Sequence, residues 1–289
     1  MTSTTVSPTS ARPGVVRTVP RRRTMAPSTI ARVVVLAVAT FLTLGPVLWT
    51  LWVALTPQVA GSGHTEFGLS AFTDVFAKVD MVLLVWNSAL VTGLCAVGQM
   101  FTAALAGYVF ARIDFRGSRP LFAIVLATMM VPLQVTIVPV FMLIRGMGLS
   151  DTLLALILPA IPTAFGTFLM RQYFLGLPTE LGEAAAIDGA GPFRTFTSVY
   201  APLAMPGLAI VGILAFNYHW NEFFRPLILT ISEQNFTLPL GLVTLQGNLG
   251  TGSVATVLAG VVLSMIPALV VFFVGQRPLR EGLTAGTSK

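Results

Sequence analysis

The chain has 289 residues, of which 55% are hydrophobic and only 10% charged, and its formal net charge is +6. A soluble domain carries about 25% charged residues, so this composition excludes a soluble enzyme and defines a membrane protein. The isoelectric point near 10.2 reflects arginines between apolar stretches and does not argue for a nucleic-acid partner.

Residues 1–28 are rich in Ser, Thr, Pro and Arg. Such a segment buries too little apolar surface to fold and is expected to be a disordered, basic cytoplasmic tail, with its arginines near anionic lipid heads. A spanning helix needs about 20 apolar residues. Six stretches qualify: 33–55, 85–109, 121–144, 152–170, 203–227 and 254–274. The expected fold is therefore all-α and polytopic, with six transmembrane helices in one domain at 29–276 and a cytoplasmic tail at 277–289. The first stretch exceeds a signal-peptide core and lacks a clean small-x-small cleavage site after it, so it reads as a retained span. The loop at 56–80 is turn-rich through Gly61, Gly63 and Gly68, and Leu69-Ser70-Ala71-Phe72 is placed to begin a short surface helix.

In the second stretch Ser88, Thr92, Cys95, Gln99, Thr102 and Ala106 share one side, and small or polar side chains there favour close helix packing. Cys95 is the single cysteine, cannot form an intrachain disulfide, and reads as a packing residue. In the third stretch Gln134 and Thr136 follow Pro132, which suggests a kink. Between the fourth and fifth stretches lies the polar loop at about 178–202. Glu183, Ala184, Ala185 and Ala186 are good helix formers, Gly189 and Gly191 permit a turn after Asp188, and Pro192 suits the first position of a new helix. Two short helices meeting at a bend are expected, with an alanine surface that another protein can approach closely. Along the fifth stretch, at 100° per residue, Asn217, Tyr218, Asn221, Glu222 and Arg225 fall within an arc of about 140°, and His219 falls outside it. This polar face reads either as a wall of the substrate path or as a structural network binding another subunit. Glu222 and Arg225, three apart, are placed to pair.

Arginine sets the orientation. Arg12, Arg17, Arg21, Arg22, Arg23 and Arg32 precede the first stretch. Arg112, Arg116 and Arg119 follow the second, Arg171 and Arg194 follow the fourth, and Arg277, Arg280 and Lys289 end the chain. The opposite connections hold only Lys78 and Arg145, with Arg225 near the membrane. Positive charge favours the cytoplasm, so both termini and the 178–202 loop are expected inside. No Gly-x4-Gly-Lys-Ser/Thr run, His-Glu-x-x-His run or paired-Cys site occurs. No metal site is expected, and any ATP-hydrolysing subunit is a separate chain.

The spacing Glu183-Ala184-Ala185, then Gly189, then Val199-Tyr200-Ala201-Pro202 resembles the coupling loop of ATP-binding-cassette importer permeases, departing from it at Ala201, where that pattern usually has Leu. Asn87-Ser88, Ala106-Gly107-Tyr108-Val109-Phe110-Ala111-Arg112, Met130-Val131-Pro132, Trp220-Asn221-Glu222, the run from Phe236 to Leu242, and Gly282-Leu283-Thr284-Ala285-Gly286 follow in the order seen in the second permease of maltose-type carbohydrate importers. The resemblance implies a type I importer permease fold in a prokaryotic inner membrane. It also implies a second permease, two ATPase subunits that bind ATP and Mg, and an extracytoplasmic solute-binding protein, with no cofactor in this chain. It assigns Glu183, Ala184, Ala185, Asp188, Gly189 and Pro202 to ATPase coupling, and Gly282, Leu283, Thr284, Ala285 and Gly286 to a tail between the ATPase subunits. Asn217, Tyr218, Asn221 and Glu222 are the candidate path residues. A glycerol-phosphate-type importer, an ion-coupled secondary transporter using Glu222 and Arg225, and a non-transporting scaffold stay open as alternatives.

Overall fold

A computed structural model describes residues 27–58, 64–247 and 252–285, with side chains over 31–58, 64–247 and 252–273. Most of the basic tail, Gly61, Gly63 and Gly286 lie outside the described residues. The chain divides at Leu48 into an amino-terminal unit and a larger one beginning at Trp49. Three apolar helices are long enough to cross a membrane unbroken, and three bent helix pairs bring the number of spans to as many as six.

The first helix, α1 (Pro27–Leu55), is predominantly apolar from Val33 onward. A short helix, α2 (Ser70–Lys78), follows where Leu69-Ser70-Ala71-Phe72 signalled one, and it buries Ala71 and Val75. The long helix α3 (Met81–Arg112) starts at Asp80, whose carboxylate accepts from the Leu83 amide at 3.0 Å. It runs about 48 Å at 1.5 Å per residue, so its ends project beyond a hydrocarbon layer of about 30 Å. The third span is α4 (Ser118–Thr128) and α5 (Leu133–Gly146), bent by 99°. Pro132, just before α5, bars its predecessor from helical geometry. The fourth span is α6 (Leu153–Ile157), a single 3-10 turn, and α7 (Ala164–Gly176), bent by 41° next to Pro162. It therefore extends past the expected boundary at residue 170.

The polar loop folds as α8 (Glu180–Ile187), α9 (Pro192–Thr195), a π-turn at Phe196–Tyr200 and α10 (Ala201–Leu203). Then comes α11 (Met205–Trp220), at 73° to the segment before it. The fifth stretch was expected to be one helix to residue 227. It stops at Trp220, and α12 (Phe224–Leu229) begins separately. Next, α13 (Leu238–Val243) buries Leu238, Leu240 and Leu242. The last helix, α14 (Val254–Ala285), runs on through 277–285, so the first part of the expected tail is helical.

The interior is built along α3. Met81 and Leu84 join a cluster with Trp220, Leu238 and Ala259. Val91 and Cys95 join Ile144, Leu156 and Leu229, as expected of a packing cysteine. Ala103, Ala104 and Tyr108 join Met170, Phe174, Phe196, Tyr200 and Leu208. Gly107 permits the approach to α7: a Cβ there would sit 2.6 Å from the Met170 Cβ and 2.9 Å from the Arg171 backbone nitrogen.

Broken helices free carbonyls and amides that lipid cannot satisfy. The polar stripe of α3 supplies them. Gln99 Nε2 donates to Ala160 O at 2.8 Å and Thr102 Oγ1 to Ile161 O at 3.0 Å, both at the break between α6 and α7. Asn87 Nδ2 donates to Gln234 O at 2.8 Å and Phe236 O at 3.0 Å, while Ser88 Oγ accepts from the Leu238 amide at 2.6 Å. Ser88, Thr92 and Cys95 are buried, as the packing reading requires. The capping work of Gln99, Thr102 and Asn87 comes in addition to that packing.

Candidate functional site

Two regions concentrate the residues singled out in the sequence. The first is the loop from α8 to α10. Its bend falls at Gly189, with φ at +76°, a left-handed conformation that favours glycine. Pro192 opens α9, where its missing donor costs nothing. Ala185 is buried, whereas Glu183, Ala184, Asp188, Gly189 and Pro202 are exposed. Ile187 and Phe193 flank the bend and are 87% and 74% exposed. Those two apolar residues were not singled out in the sequence. Their signal was the presence of large hydrophobic side chains in an otherwise small and polar loop.

Behind this exposed surface the loop is tied to the membrane helices. Tyr108 donates from its hydroxyl to Pro192 O at 3.2 Å and packs its ring on Phe196 and Tyr200, with centroids 5.0 and 5.5 Å away. Arg112 lies 4.9 Å over the Tyr200 ring and donates to Phe174 O and Leu177 O, the carbonyls at the end of α7. A cation at a helix carboxyl end also meets the favourable end of its dipole. The Ala106–Arg112 motif thus has a physical role: Gly107 admits α7, and Tyr108 and Arg112 join α3, α7 and the loop into one body.

The second region surrounds the end of α11. Asn217, Tyr218 and Asn221 are exposed, and Asn221 Nδ2 donates to Asn217 O at 2.8 Å. Glu222 is not on their surface. The helix unwinds after Trp220, and the Glu222 carboxylate turns inward to pair with Arg225, as expected, and with His219 Nδ1 at 2.8 Å. His219, placed outside the polar arc by helical periodicity, is buried and belongs to this network. Gln99 Nε2, which donates to Ala160 O, also lies 2.9 Å from His219 Nε2, and His219 Nδ1 meets both the Glu222 carboxylate at 2.8 Å and Arg225 Nη2 at 3.1 Å. The charges are thereby closed on one another inside the protein. A cavity of about 400 Å³ opens beside them, lined by Gln99, Thr163, Phe165, Gly166, Val211, Leu214, Ala215 and Tyr218.

A third feature escaped the sequence altogether. Asp151, between α5 and α6, has φ at +57°, which Asp tolerates better than most residues. Its Oδ1 accepts from the Ile231 and Ser232 amides at 2.9 and 3.0 Å, and its Oδ2 accepts from Ser232 Oγ at 2.5 Å. Asn235 donates to its carbonyl at 2.7 Å. The bond from the Ser232 hydroxyl, then those from the Ile231 and Ser232 amides, hold the carboxyl well below its ordinary value of 3.8. A depressed value makes the clamp fully stabilising above that ordinary value, and the contribution is lost only as pH falls towards the folded one. Hydrogen exchange should therefore show the Ile231 and Ser232 amides equally protected at pH 7 and pH 5. Asp151→Asn should weaken that protection at both, and unchanged exchange in the variant would contradict the clamp.

The fold is that of the membrane subunits of ATP-binding-cassette importers. It matches a chain of a bacterial ABC transporter involved in the import of the acidic polysaccharide alginate, with TM-score 0.74 and 25% identity over 86% of this chain and 95% of the other. A chain of the MetNI methionine ABC transporter shares the fold at TM-score 0.55 and 23% identity, over 70% of this chain and 95% of the other. In sequence, residues 99–279 match the family described as "Binding-protein-dependent transport system inner membrane component", and the chain belongs to that family. It is 32% identical to the lactose transport system permease protein LacG of Rhizobium radiobacter, over 86% of this chain and 92% of LacG. It is 37% identical to the arabinooligosaccharides transport system permease protein AraQ of Halalkalibacterium halodurans, over 70% and 72%. It is also 31% identical to the sn-glycerol-3-phosphate transport system permease protein UgpE of Yersinia pestis, over 83% and 80%.

Proposed function

We propose that this chain is one permease subunit of an ATP-driven importer of neutral carbohydrate, paired with a second permease. Two ATPase subunits that bind ATP and Mg dock below the permease pair, one of them on the α8–α9 loop of this chain, and an extracytoplasmic binding protein delivers the substrate. The arginine distribution favours cytoplasmic termini and a cytoplasmic coupling loop. Closure of the ATPase pair moves α8 and α9, and the Tyr108–Phe196–Tyr200–Arg112 cluster carries that motion into α3 and α7.

One observation carries the choice of a neutral substrate. The cavity beside α11 is lined by Gln99, Thr163, Phe165 and Tyr218 together with small and aliphatic residues, and without a cation, while Arg225 is already neutralised by Glu222. A phosphate ester calls for arginine or lysine donors. A sugar instead needs hydrogen-bonding partners for its hydroxyls and an aromatic face, which the Gln99 carbonyl oxygen, the Thr163 hydroxyl, Phe165 and Tyr218 offer. Reconstituted with its subunits and binding protein, the complex should take up lactose or an arabino-oligosaccharide and not sn-glycerol 3-phosphate. Tyr218→Ala should lower uptake about tenfold, the loss expected for one aromatic contact, with basal ATP hydrolysis and assembly retained. Preferential uptake of the phosphate ester, or full uptake by Tyr218→Ala, would refute the assignment.

A further inference from the structure

At the Arg112 end of α3 the structure forms a cavity of about 690 Å³ between α3, α4 and α7, lined by Phe110, Asp114, Phe115, Arg116, Arg119, Arg171 and Leu175 among others. We propose that it binds the phosphate headgroup of an anionic phospholipid.

Charge and position both point to this ligand. Three guanidinium groups face one carboxylate, and among the described residues none of the three forms an ion pair. Arg171 is held in place rather than spent: its Nε donates to Phe110 O at 3.1 Å and its guanidinium lies 4.3 Å over the Phe122 ring. Its terminal nitrogens have no protein acceptor among the described residues. Arg116 and Arg119 are exposed and flank the Gly117–Ser118 turn that opens α4.

The depth is that of a headgroup. The cavity lies at the end of a helix of about 48 Å, on the side where Tyr108 and Arg112 meet the α8–α9 loop. The basic mouth also continues into apolar surface. Leu121 and Ile124 on α4 are 48% and 60% exposed, and Leu175 on the cavity wall is 46% exposed. A free phosphate uses only the cations, whereas a phospholipid uses the cations for its headgroup and this apolar surface for an acyl chain. Basic pockets between membrane helices are suited to such headgroups.

The test is lipid retention by the purified permease complex, read by native mass spectrometry after exchange into detergent containing equal phosphatidylglycerol and phosphatidylcholine. This readout is independent of uptake and hydrolysis, so it does not depend on the substrate assigned above. The wild type should keep phosphatidylglycerol in preference. Arg116→Gln with Arg119→Gln should weaken that retention about thirtyfold, for two cations removed near an anionic headgroup, and Arg116→Lys with Arg119→Lys should keep most of it. Equal retention by the glutamine variant, or displacement by millimolar inorganic phosphate, would overturn the lipid assignment. So would loss of the ATPase subunits from the glutamine variant, since these arginines would then be a protein-docking surface.

Discussion

Glu222→Ala is expected to destabilise the protein by about 3–5 kcal/mol, the range for removing one partner of a buried ion pair. Arg225 is 5% exposed and Glu222 is its counter-ion. Without the carboxylate, a guanidinium remains in a low-dielectric interior and His219 Nδ1 loses its carboxylate partner. The double variant Glu222→Ala with Arg225→Ala removes both charges and should be less destabilised than the sum of the two single variants. A thermal-unfolding series on the solubilised complex measures the coupling. Strict additivity would show that the two charges act independently. The same series tests the secondary-transporter alternative: a pair that carries ions must separate, and one whose loss impairs folding before transport is structural.

Gly189→Pro is expected to abolish coupled transport while the protein still inserts in the membrane. Proline fixes φ near −65°, and Gly189 sits at +76°. Its amide also donates to Ala186 O at 3.0 Å, and that bond disappears. The bend between α8 and α9 must open, which moves Ile187 and Phe193 relative to one another. ATPase co-purification and substrate-stimulated hydrolysis should both fall, whereas the α3–α7 contacts, which do not involve the bend, should stay protected from proteolysis. Normal stimulated hydrolysis in the variant would remove the loop from the transmission path.

How far the sequence could be read follows from the range of the interactions. The six apolar stretches are read from composition, and each corresponds to a helix or a bent pair. The α8–α9 bend was legible because it is local: alanines, then Gly189, then Pro192. The breaks at Pro132 and Pro162 carry their own marker. The end of α11 carries none, because Asn221, Glu222 and Phe223 include no Gly or Pro, and the periodic continuation put Glu222 beside Asn221 instead of beside His219. The Glu222–Arg225 pairing was correctly anticipated because both a helix and a tight turn bring residues three apart together. The Asp151 clamp joins residues 80 to 84 apart in sequence, and nothing local announces such a contact.

The polar stripe of α3 has a consequence for biosynthesis. Asn87, Ser88, Gln99 and Thr102 leave the ribosome before the groups they cap, which lie 59 to 150 residues further along the chain. The break between α6 and α7 and the connection leading into α13 therefore reach the bilayer after their hydrogen-bonding partners are already there. Order of synthesis matches order of need, and α3 serves as the template on which these two later segments are laid down.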